Sequence, residues 1–370
     1  MTVPLSIKPK ILHAFSTFDL GGPQARTVQI IDGLGDQFKH VITAMDSRFG
    51  AASSLKSRDV EFERKVFAKS KLIGNIRQIE AIIAQHQPDV VVSYNWGAIE
   101  WLLAARKASF ARWHVEEGFG PAESNKRLLR RNLMRRLAFL YSNAKLVSVS
   151  ETINEIAATE WWIPSGRRRF IPNGCDTTRY YPEVKSTDRP NLAPFTFGTV
   201  AGLRPEKRLD RLIEAIALFD MGSVRLRIAG SGPLLDSLKL LVSSKGLGRF
   251  VDFVGFLQNP AEFYRSLDAF VLVSDTEQAP LSLLEAMSSG LPTVVTNVGD
   301  MAKMIAPENQ LLIAQRSLDD IFAKLSACTN ADLQLIGQAN RSRAVERFSL
   351  DTMLSNWKSV YVPAGFSTKN

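Results

Sequence analysis

Cysteine is nearly missing from this chain. There are two among 370 residues, Cys175 and Cys328, far apart in sequence. That excludes a disulfide framework and a zinc cluster, and it suits a reducing, cytoplasmic setting. No apolar run approaches the roughly 20 residues that a membrane-spanning helix needs. The opening MTVPLSIKPKILHAF lacks the apolar core and small-residue cleavage site of a secretory leader, which also points to the cytoplasm. Repeats of short fixed period are absent as well. What remains is the composition of a globular protein, 45% hydrophobic and 22% charged, on a chain long enough for two cores.

Positive charge is present in excess, and it is uneven. Residues 1 to 185 hold 27 Lys+Arg against 18 Asp+Glu, whereas residues 186 to 370 hold 19 of each, so the net +9 lies wholly in the first half. Its densest part is KRLLRRNLMRRL, from Lys126 to Leu137, followed by Arg167, Arg168 and Arg169. Such a face attracts anions: phosphates, acidic sugars or an anionic bilayer. A solvated helix face explains the run equally well. Leu128, Leu129, Leu133, Met134 and Leu137 recur at helical spacing beside the arginines, which makes a basic amphipathic helix suited to a membrane surface. Nucleic-acid binding would rest on charge alone and is not expected.

Short runs rich in β-branched residues alternate with helical patterns throughout. In the first half the expected strands are KILHAFS, HVITAM, VEFERKVF, PDVVVSY, ARWHVE, AKLVSVS and RRRFIP. The expected helices are residues 24–34, 72–86, 98–107, 126–141 and 152–160. This is the signature of a doubly wound parallel sheet. The rhythm breaks in the Pro-, Asp- and Thr-rich NGCDTTRYYPEVKSTDRPNLAP, then restarts with FTFGTVA, VRLRIAG, VDFVGF, AFVLVS, PTVVT and QLLIA, and helices between them. The expected division is an N-terminal domain over 1–175, a linker over 176–194, a second domain over 195–348, and a helix over 349–370 returning to the first. Two Rossmann-like α/β domains facing a central cleft would bind a ligand at the carboxyl ends of their strands.

Several turns could carry chemistry. FDLGGPQART follows the first strand and opens a helix, so Gly21 and Gly22 could take positive φ and bring backbone N–H groups to a phosphate. IAGSGPLLD repeats the arrangement with Gly230 and Gly232. A plain tight turn accounts for each alone. In VAGLRPEKRLDRLIEA, Arg204 and Lys207 stand just past a strand end, where two cations suit a diphosphate leaving group. His114, one of four histidines, is expected to end a strand ahead of two acids and a glycine turn. It is a site candidate or a buried, hydrogen-bonded structural histidine.

SDTEQAPLSLLEAMSSGLPTVVT sets Glu277 beside Pro280 and places Glu285 eight positions on. On one helix these acids would lie about 80° apart. Pro280 instead keeps Ala279 outside the helix, so Glu277 belongs to a loop and Glu285 to the first or second helical turn. Two carboxylates aimed into one crevice accept paired hydrogen bonds from sugar hydroxyls.

DTEQAPLSLLEAMSSGLPTVVTNVGD resembles the E-x7-E signature of the retaining glycosyltransferases of family 4, which have the GT-B fold. The resemblance runs along nearly the whole chain in order, through LGGPQART, RWHVEEGFGP, VSVSET, IPNGCDTTRYYP, LRPEKRLDRLIEA, IAGSGP and VDFVGFLQNP. It implies that Glu285 holds the ribose hydroxyls of a nucleoside diphosphate sugar and Glu277 those of its sugar ring. Arg204 and Lys207 would hold the diphosphate with backbone N–H groups near Gly22 and after Pro280, at Leu281. Backbone near Gly255 would meet the base, and His114 the donor sugar. Two positions depart from the pattern: Gly202 stands where the family has an arginine, with Arg204 two residues on, and the acidic loop reads Glu277-Gln278-Ala279-Pro280 rather than a glycine-rich form.

The function implied is retaining, metal-independent transfer from a UDP- or GDP-linked sugar to a saccharide or lipid-linked saccharide, in cell-surface polysaccharide, lipopolysaccharide or glycolipid biosynthesis. No resident cofactor is expected, and the enzyme would be cytoplasmic, with Lys126 to Arg136 resting on the inner face of a membrane. The competing readings are a non-catalytic nucleotide-sugar or polyanion-binding protein on the same scaffold, and a nucleotide-sugar epimerase. The pyridoxal-type phosphorylases would need a cofactor lysine in a suitable context, which is not found.

Overall fold

The computed structural model describes residues 8–68, 71–104, 110–119, 123, 128–183 and 194–363. The chain divides into two compact units. Unit 1 is residues 1–172 together with 351–370, and unit 2 is residues 173–350.

Unit 1 is built on seven parallel strands: β1 (Lys10–Phe15), β2 (Lys39–Ala44), β3 (Val60–Glu63), β4 (Val90–Tyr94), β5 (Ala111–Glu116), β6 (Lys145–Ser148) and β7 (Arg168–Phe170), in the order β3-β2-β1-β4-β5-β6-β7. Its helices are α1 (Gly22–Leu34), α2 (Leu72–His86), α3 (Leu129–Ser142) and α4 (Glu151–Thr159). The central strand β4 is buried along its whole length, from Val90, Val91 and Val92 through Ser93 to Tyr94, as expected of a parallel sheet covered on both faces. In α2, Ile79, Ile82 and Ile83 are buried at helical spacing and the helix ends at Gln87 in the left-handed region. Ser150 starts α4 by accepting a hydrogen bond from Ile153 N at 3.1 Å, an ordinary N-cap.

Unit 2 has six parallel strands: β8 (Phe195–Val200), β9 (Val224–Ala229), β10 (Val251–Gly255), β11 (Ala269–Leu272), β12 (Thr293–Thr296) and β13 (Ile313–Ala314), in the order β10-β9-β8-β11-β12-β13. Around them lie α5 (Leu209–Ile216), α6 (Leu235–Ser244), α7 (Ala261–Arg265), α8 (Leu281–Ser288), α9 (Met301–Met304), α10 (Leu318–Thr329) and α11 (Leu333–Phe348). The last helix, α12 (Leu350–Tyr361), belongs to unit 1 from Asp351 onward. There Trp357 and Tyr361 are fully buried, the Arg26 guanidinium lies 5.3 Å from the Trp357 ring, and Tyr361 meets Phe38 edge-on at 5.5 Å.

Two expected elements differ. Residues 98–107 do not make an α-helix: residues 96–102 form a 3-10 run interrupted at Ala98 (φ −118°, ψ 17°), and 105–107 lie outside the described residues. Gly97 packs so closely on Ser16 that a Cβ there would lie 2.4 Å from the Ser16 Cβ, which fixes the path of this segment. QLLIA is a strand only at Ile313–Ala314, preceded by a 3-10 turn over Pro307–Leu312. Asn309 in that turn is buried and uses its amide on Thr293 N and O. Within the expected linker, residues 176–183 pack on unit 2. Tyr180 is buried and its carbonyl accepts from Arg341 at 2.6 Å; residues 184–193 lie outside the described residues.

Beneath α12, His13 bonds Tyr94 Oη at 2.9 Å and His40 at 3.0 Å. Burial lowers the pKa of both rings, that of His40 to about 4. Between roughly pH 6.5 and 4 the unfolded chain therefore binds a proton at His40 that the folded chain does not. Stability should hold above that window and fall as pH drops through it, by roughly 3 kcal/mol for this one shift. Urea midpoints measured at pH 7.5 and 4.5 should show the loss, and His40→Phe should remove the His40 share of it while that of His13 remains.

Candidate functional site

In a doubly wound sheet the loops after the two strands that flank the reversal of strand order run to opposite faces and leave a crevice. In unit 2 the reversal lies at β8/β11, and the loops are 201–208 and 273–280. These loops carry Lys207 and Glu277, and the two side chains form an ion pair, both largely covered. Ser274 Oγ also donates to Glu277 at 3.0 Å. A second tie, Asp275 N to Glu206 O at 2.8 Å, joins the loops through backbone. Arg208 and Arg211 brace Asp275 at 3.1 and 2.9 Å.

Pro280 is the N-cap of α8 with extended backbone (φ −68°, ψ 130°), Leu281 is its first residue, and Glu285 stands in the second turn. Glu285 accepts a hydrogen bond from Tyr264 Oη at 2.7 Å. Burial raises its pKa, while the Tyr264 and Tyr180 hydroxyls partly offset the rise. The two acids are thus held differently: Glu277 by a cation, Glu285 by phenols. Asn173, from the IPNG segment, donates to Ala279 O at 2.7 Å and fixes the loop before α8.

The remaining candidates of unit 2 divide. Arg204 is 56% exposed and pairs with Glu206 at 3.1 Å, apart from the Lys207–Glu277 pair. Gly255 takes φ +82° at the end of β10, and a Cβ there would meet nothing within 4 Å, which leaves that face open to a ligand. Gly230 and Gly232 answer to another demand. A Cβ at Gly230 would lie 1.9 Å from Ala201 O, and at Gly232 2.5 Å from Leu203 O. Both glycines let one strand-end loop lie against the other, through Leu203 N to Ser231 O at 3.0 Å.

In unit 1 the reversal lies at β1/β4. Gly21 and Gly22 stand there, but neither has positive φ. Gly21 is the extended N-cap of α1 (φ −170°), a conformation open to any residue, which corrects the expectation from sequence. Nothing lies within 4 Å of a Cβ at Gly22. His114 does not end its strand. β5 continues to Glu116, and His114 is fully buried, with Nδ1 2.8 Å from Ser93 Oγ and Nε2 3.6 Å from Glu116. Of the two readings open from sequence, a site residue and a buried, hydrogen-bonded histidine, this geometry is that of the second, in a central strand covered on both faces.

The group that does reach the carboxyl end of β5 is Glu117, which sequence reasoning missed. Its side chain is 8% exposed and ion-paired with Arg26 of α1. Its N–H donates to Asn95 Oδ1 at 2.8 Å. Asn95, directly after β4, has φ +56° and ψ 177°, a region that costs a non-glycine residue on the order of 1–3 kcal/mol and clusters at functional sites. Also missed was Gly299. At φ +55° its Cβ would lie 1.9 Å from Glu277 O, so the turn behind the first acid requires glycine. A glycine following a strand in TNVGD was the available signal.

The basic segment is split by its own helix. Arg135 is fully buried, 3.1 Å from Glu116 and 3.3 Å from Glu123, with Trp96, Phe119 and Trp161 around its guanidinium. Arg131 pairs with Glu123 at 3.0 Å. Arg167 caps carbonyls of Phe139 and Ala144, and Arg168 that of Asn154. Lys126 lies outside the described residues. The outward face of α3 is instead Leu129, Leu133, Leu137 and Leu140, with Arg130 beside them and Arg136 stacked on the exposed Trp162.

The first half of the chain, residues 20–179, matches the model of Glycosyltransferase Family 4, and residues 183–338 match that of Glycosyl transferases group 1. The chain is a GT-B glycosyltransferase family member. Among curated relatives, it is 24% identical over 264 residues to the UDP-Gal:alpha-D-GlcNAc-diphosphoundecaprenol alpha-1,3-galactosyltransferase of Escherichia coli, covering 67% of this chain and 68% of the relative. It is 26% identical over 170 residues to the poly(ribitol-phosphate) alpha-N-acetylglucosaminyltransferase of Staphylococcus aureus, 44% of this chain and 34% of that protein. The chain thus spans about a third of the length of the Staphylococcus relative. The solved structure of Anabaena HepE in complex with UDP superposes with a TM-score of 0.80 at 16% identity, over 95% of this chain and 98% of that one. That likeness establishes the GT-B architecture of two parallel-sheet α/β domains.

The glycine contacts give a stability test within unit 2. Gly232→Ala should cost about 1–3 kcal/mol because the new methyl meets immovable backbone. Gly248→Ala, with nothing within 4 Å, should stay within about 0.5 kcal/mol of the parent. Chemical denaturation of the two variants compares them directly.

Proposed function

We propose that the protein transfers a sugar from a nucleoside diphosphate sugar, UDP- or GDP-linked, to a saccharide or lipid-linked saccharide acceptor in the building of cell-surface polysaccharide or glycolipid. The observation that carries this is the Lys207–Glu277 pair at the β8/β11 reversal, one short loop ahead of Glu285. The ammonium and the carboxylate satisfy each other. A diphosphate would draw Lys207, and Glu277 would then accept hydrogen bonds from hydroxyls of the attached sugar. Glu285, steadied by Tyr264, would accept the ribose hydroxyls. The relatives support the donor and acceptor classes by their names: one uses UDP-Gal on a diphosphoundecaprenol-linked sugar, and HepE is seen with UDP.

The reaction is proposed to retain configuration. The acceptor oxygen attacks the anomeric carbon from the face that the diphosphate leaves, the C–O bond breaks with its electron pair going to phosphate, and a phosphate oxygen takes the acceptor proton. Catalysis is then positioning and electrostatics. Lys207, with Arg204 from the neighbouring turn and N–H groups at the start of α8, would neutralise the leaving group without a metal ion or another resident cofactor.

A membrane-resting face goes with a lipid-linked acceptor. Leu129, Leu133 and Leu140 fall within about 40° of one another around α3 at 100° per residue, and they are 82%, 55% and 72% exposed. Arg130 and Arg136 flank them, a pattern that suits an anionic bilayer. Among the described residues no helix is long and apolar enough to cross a membrane.

Glu285→Ala should weaken binding of the cognate nucleotide sugar at least about tenfold. Calorimetry across UDP-glucose, UDP-galactose, UDP-N-acetylglucosamine and GDP-mannose identifies the donor, and unchanged affinity in the variant would refute the assignment. Binding should weaken as pH falls through the raised pKa of Glu285, so its acid midpoint should lie above the usual carboxylate value. Tyr264→Phe removes a donor to the ionised form and should move that midpoint higher.

The double substitution Leu133→Ser with Arg136→Ser spares the inward Arg131 and Arg135. It should release the protein from phosphatidylglycerol vesicles in flotation without changing its circular dichroism. Retained flotation would sink the membrane face.

A further inference from the structure

We propose that the Glu117 carboxylate, held by Arg26 and positioned by Asn95 at the strand-order reversal of unit 1, is a saccharide-hydroxyl binding group of the transfer reaction. The inference rests on the transferase reading and extends it to a residue outside the acidic motif. Three observations carry it.

The first is place. Glu117 is the first residue beyond β5, Asn95 the first beyond β4, and Arg26 lies in the first turns of α1, which follows β1. Three neighbouring strands therefore deliver one polar cluster to the carboxyl edge where doubly wound sheets bind ligands. The second is the backbone of Asn95. It is held at φ +56°, ψ 177° by Asn95 N to Val115 O at 2.8 Å, and its side chain takes up the Glu117 N–H. The unfavoured conformation is thus used to place Glu117. The third is the chemistry of the pair. Burial raises the Glu117 pKa, Arg26 opposes the rise, and Glu116 adds to it; Tyr94 of β4 is the other titratable neighbour, and Glu117 contributes to its raised pKa. The guanidinium opposes the push of burial toward the neutral acid and so favours the ionised carboxylate. An ionised carboxylate has about four acceptor sites, more than one Arg26 contact fills, and sugar hydroxyls are donors that suit the remainder. Unit 2 uses the same construction in Lys207 and Glu277.

The hydroxyl could belong to the donor sugar or to the attacking acceptor, and the two are separated by measuring binding and turnover on the same variants. Glu117→Gln and Glu117→Asp are compared with the parent for binding of UDP, binding of the UDP- or GDP-sugar from the four-member panel that the parent holds most tightly, and sugar transfer from it to a panel of saccharide and diphosphoundecaprenol-linked saccharide acceptors. Glu117→Asp keeps a charge for Arg26, so it guards against a Gln variant that fails to fold; melting temperature checks both. The expected result is UDP affinity within about twofold of the parent, together with one of two losses. A tenfold or greater weakening of nucleotide-sugar binding assigns the hydroxyl to the donor. Preserved binding with a hundredfold fall in turnover assigns it to the acceptor side. Glu285 gives parent and variants alike an acid limb in binding, so Glu117→Gln should remove only the Glu117 share and make the fall with acid shallower, a change that a purely structural carboxylate would not produce. Folded variants with parental binding, turnover and pH profile would overturn the proposal, as would equal loss of UDP itself. A parent that binds no nucleotide of the panel would overturn the transferase reading, a result distinct from either.

Discussion

Reversal of strand order is the constraint on which both units of this protein depend. A parallel sheet buries both faces and hydrogen-bonds its strands throughout, so its interior offers no room for chemistry. The reversal is where successive connections leave for opposite faces, and only there do polar loops converge at the sheet edge. In unit 2 that edge holds Lys207 and Glu277, in unit 1 Arg26 and Glu117. Each pair brings a cation and a carboxylate from separate loops into contact. Each would be costly if buried alone, and each partner stabilises the charged form of the other.

The surroundings of these pairs are devoted to holding loops still. Gly230 and Gly232 let the loop after β9 lie on the loop after β8, Gly299 makes room for the carbonyl of Glu277, and Asn173 ties Ala279. Arg208 and Arg211 converge on Asp275. Much of what reads as a binding motif therefore serves to pack one loop against another. The same holds in unit 1 for the buried Arg135 and its aromatic cage, which fasten α3 while its leucines stay outside.

His114 shows how such a division misleads a reading made from sequence. A histidine near a strand end looks poised for chemistry, and RWHVEEGFG offers it two acids and a glycine turn. The strand is ARWHVE, as its pattern suggests, and it continues two residues past the histidine. The histidine then lies inside, and the second acid emerges at the edge instead. The residue just past the strand's carboxyl end is Glu117, and His114 lies three positions back inside the strand.

Alternation of apolar runs with helical periods was enough to determine two doubly wound domains, and Pro280 was enough to put Glu277 in a loop and Glu285 in a helix. Those features are local: backbone sterics and the burial of periodic apolar faces operate within a dozen residues. The ion partner of each acid, the burial of His114 and Arg135, and the reason for each glycine were decided by tertiary structure alone. They depend on contacts between separate segments, from 19 residues apart for Arg135 with Glu116 to 70 for Lys207 with Glu277 and 91 for Arg26 with Glu117. A linear sequence records which residues are available for such contacts, and only the packed sheet determines which of them meet.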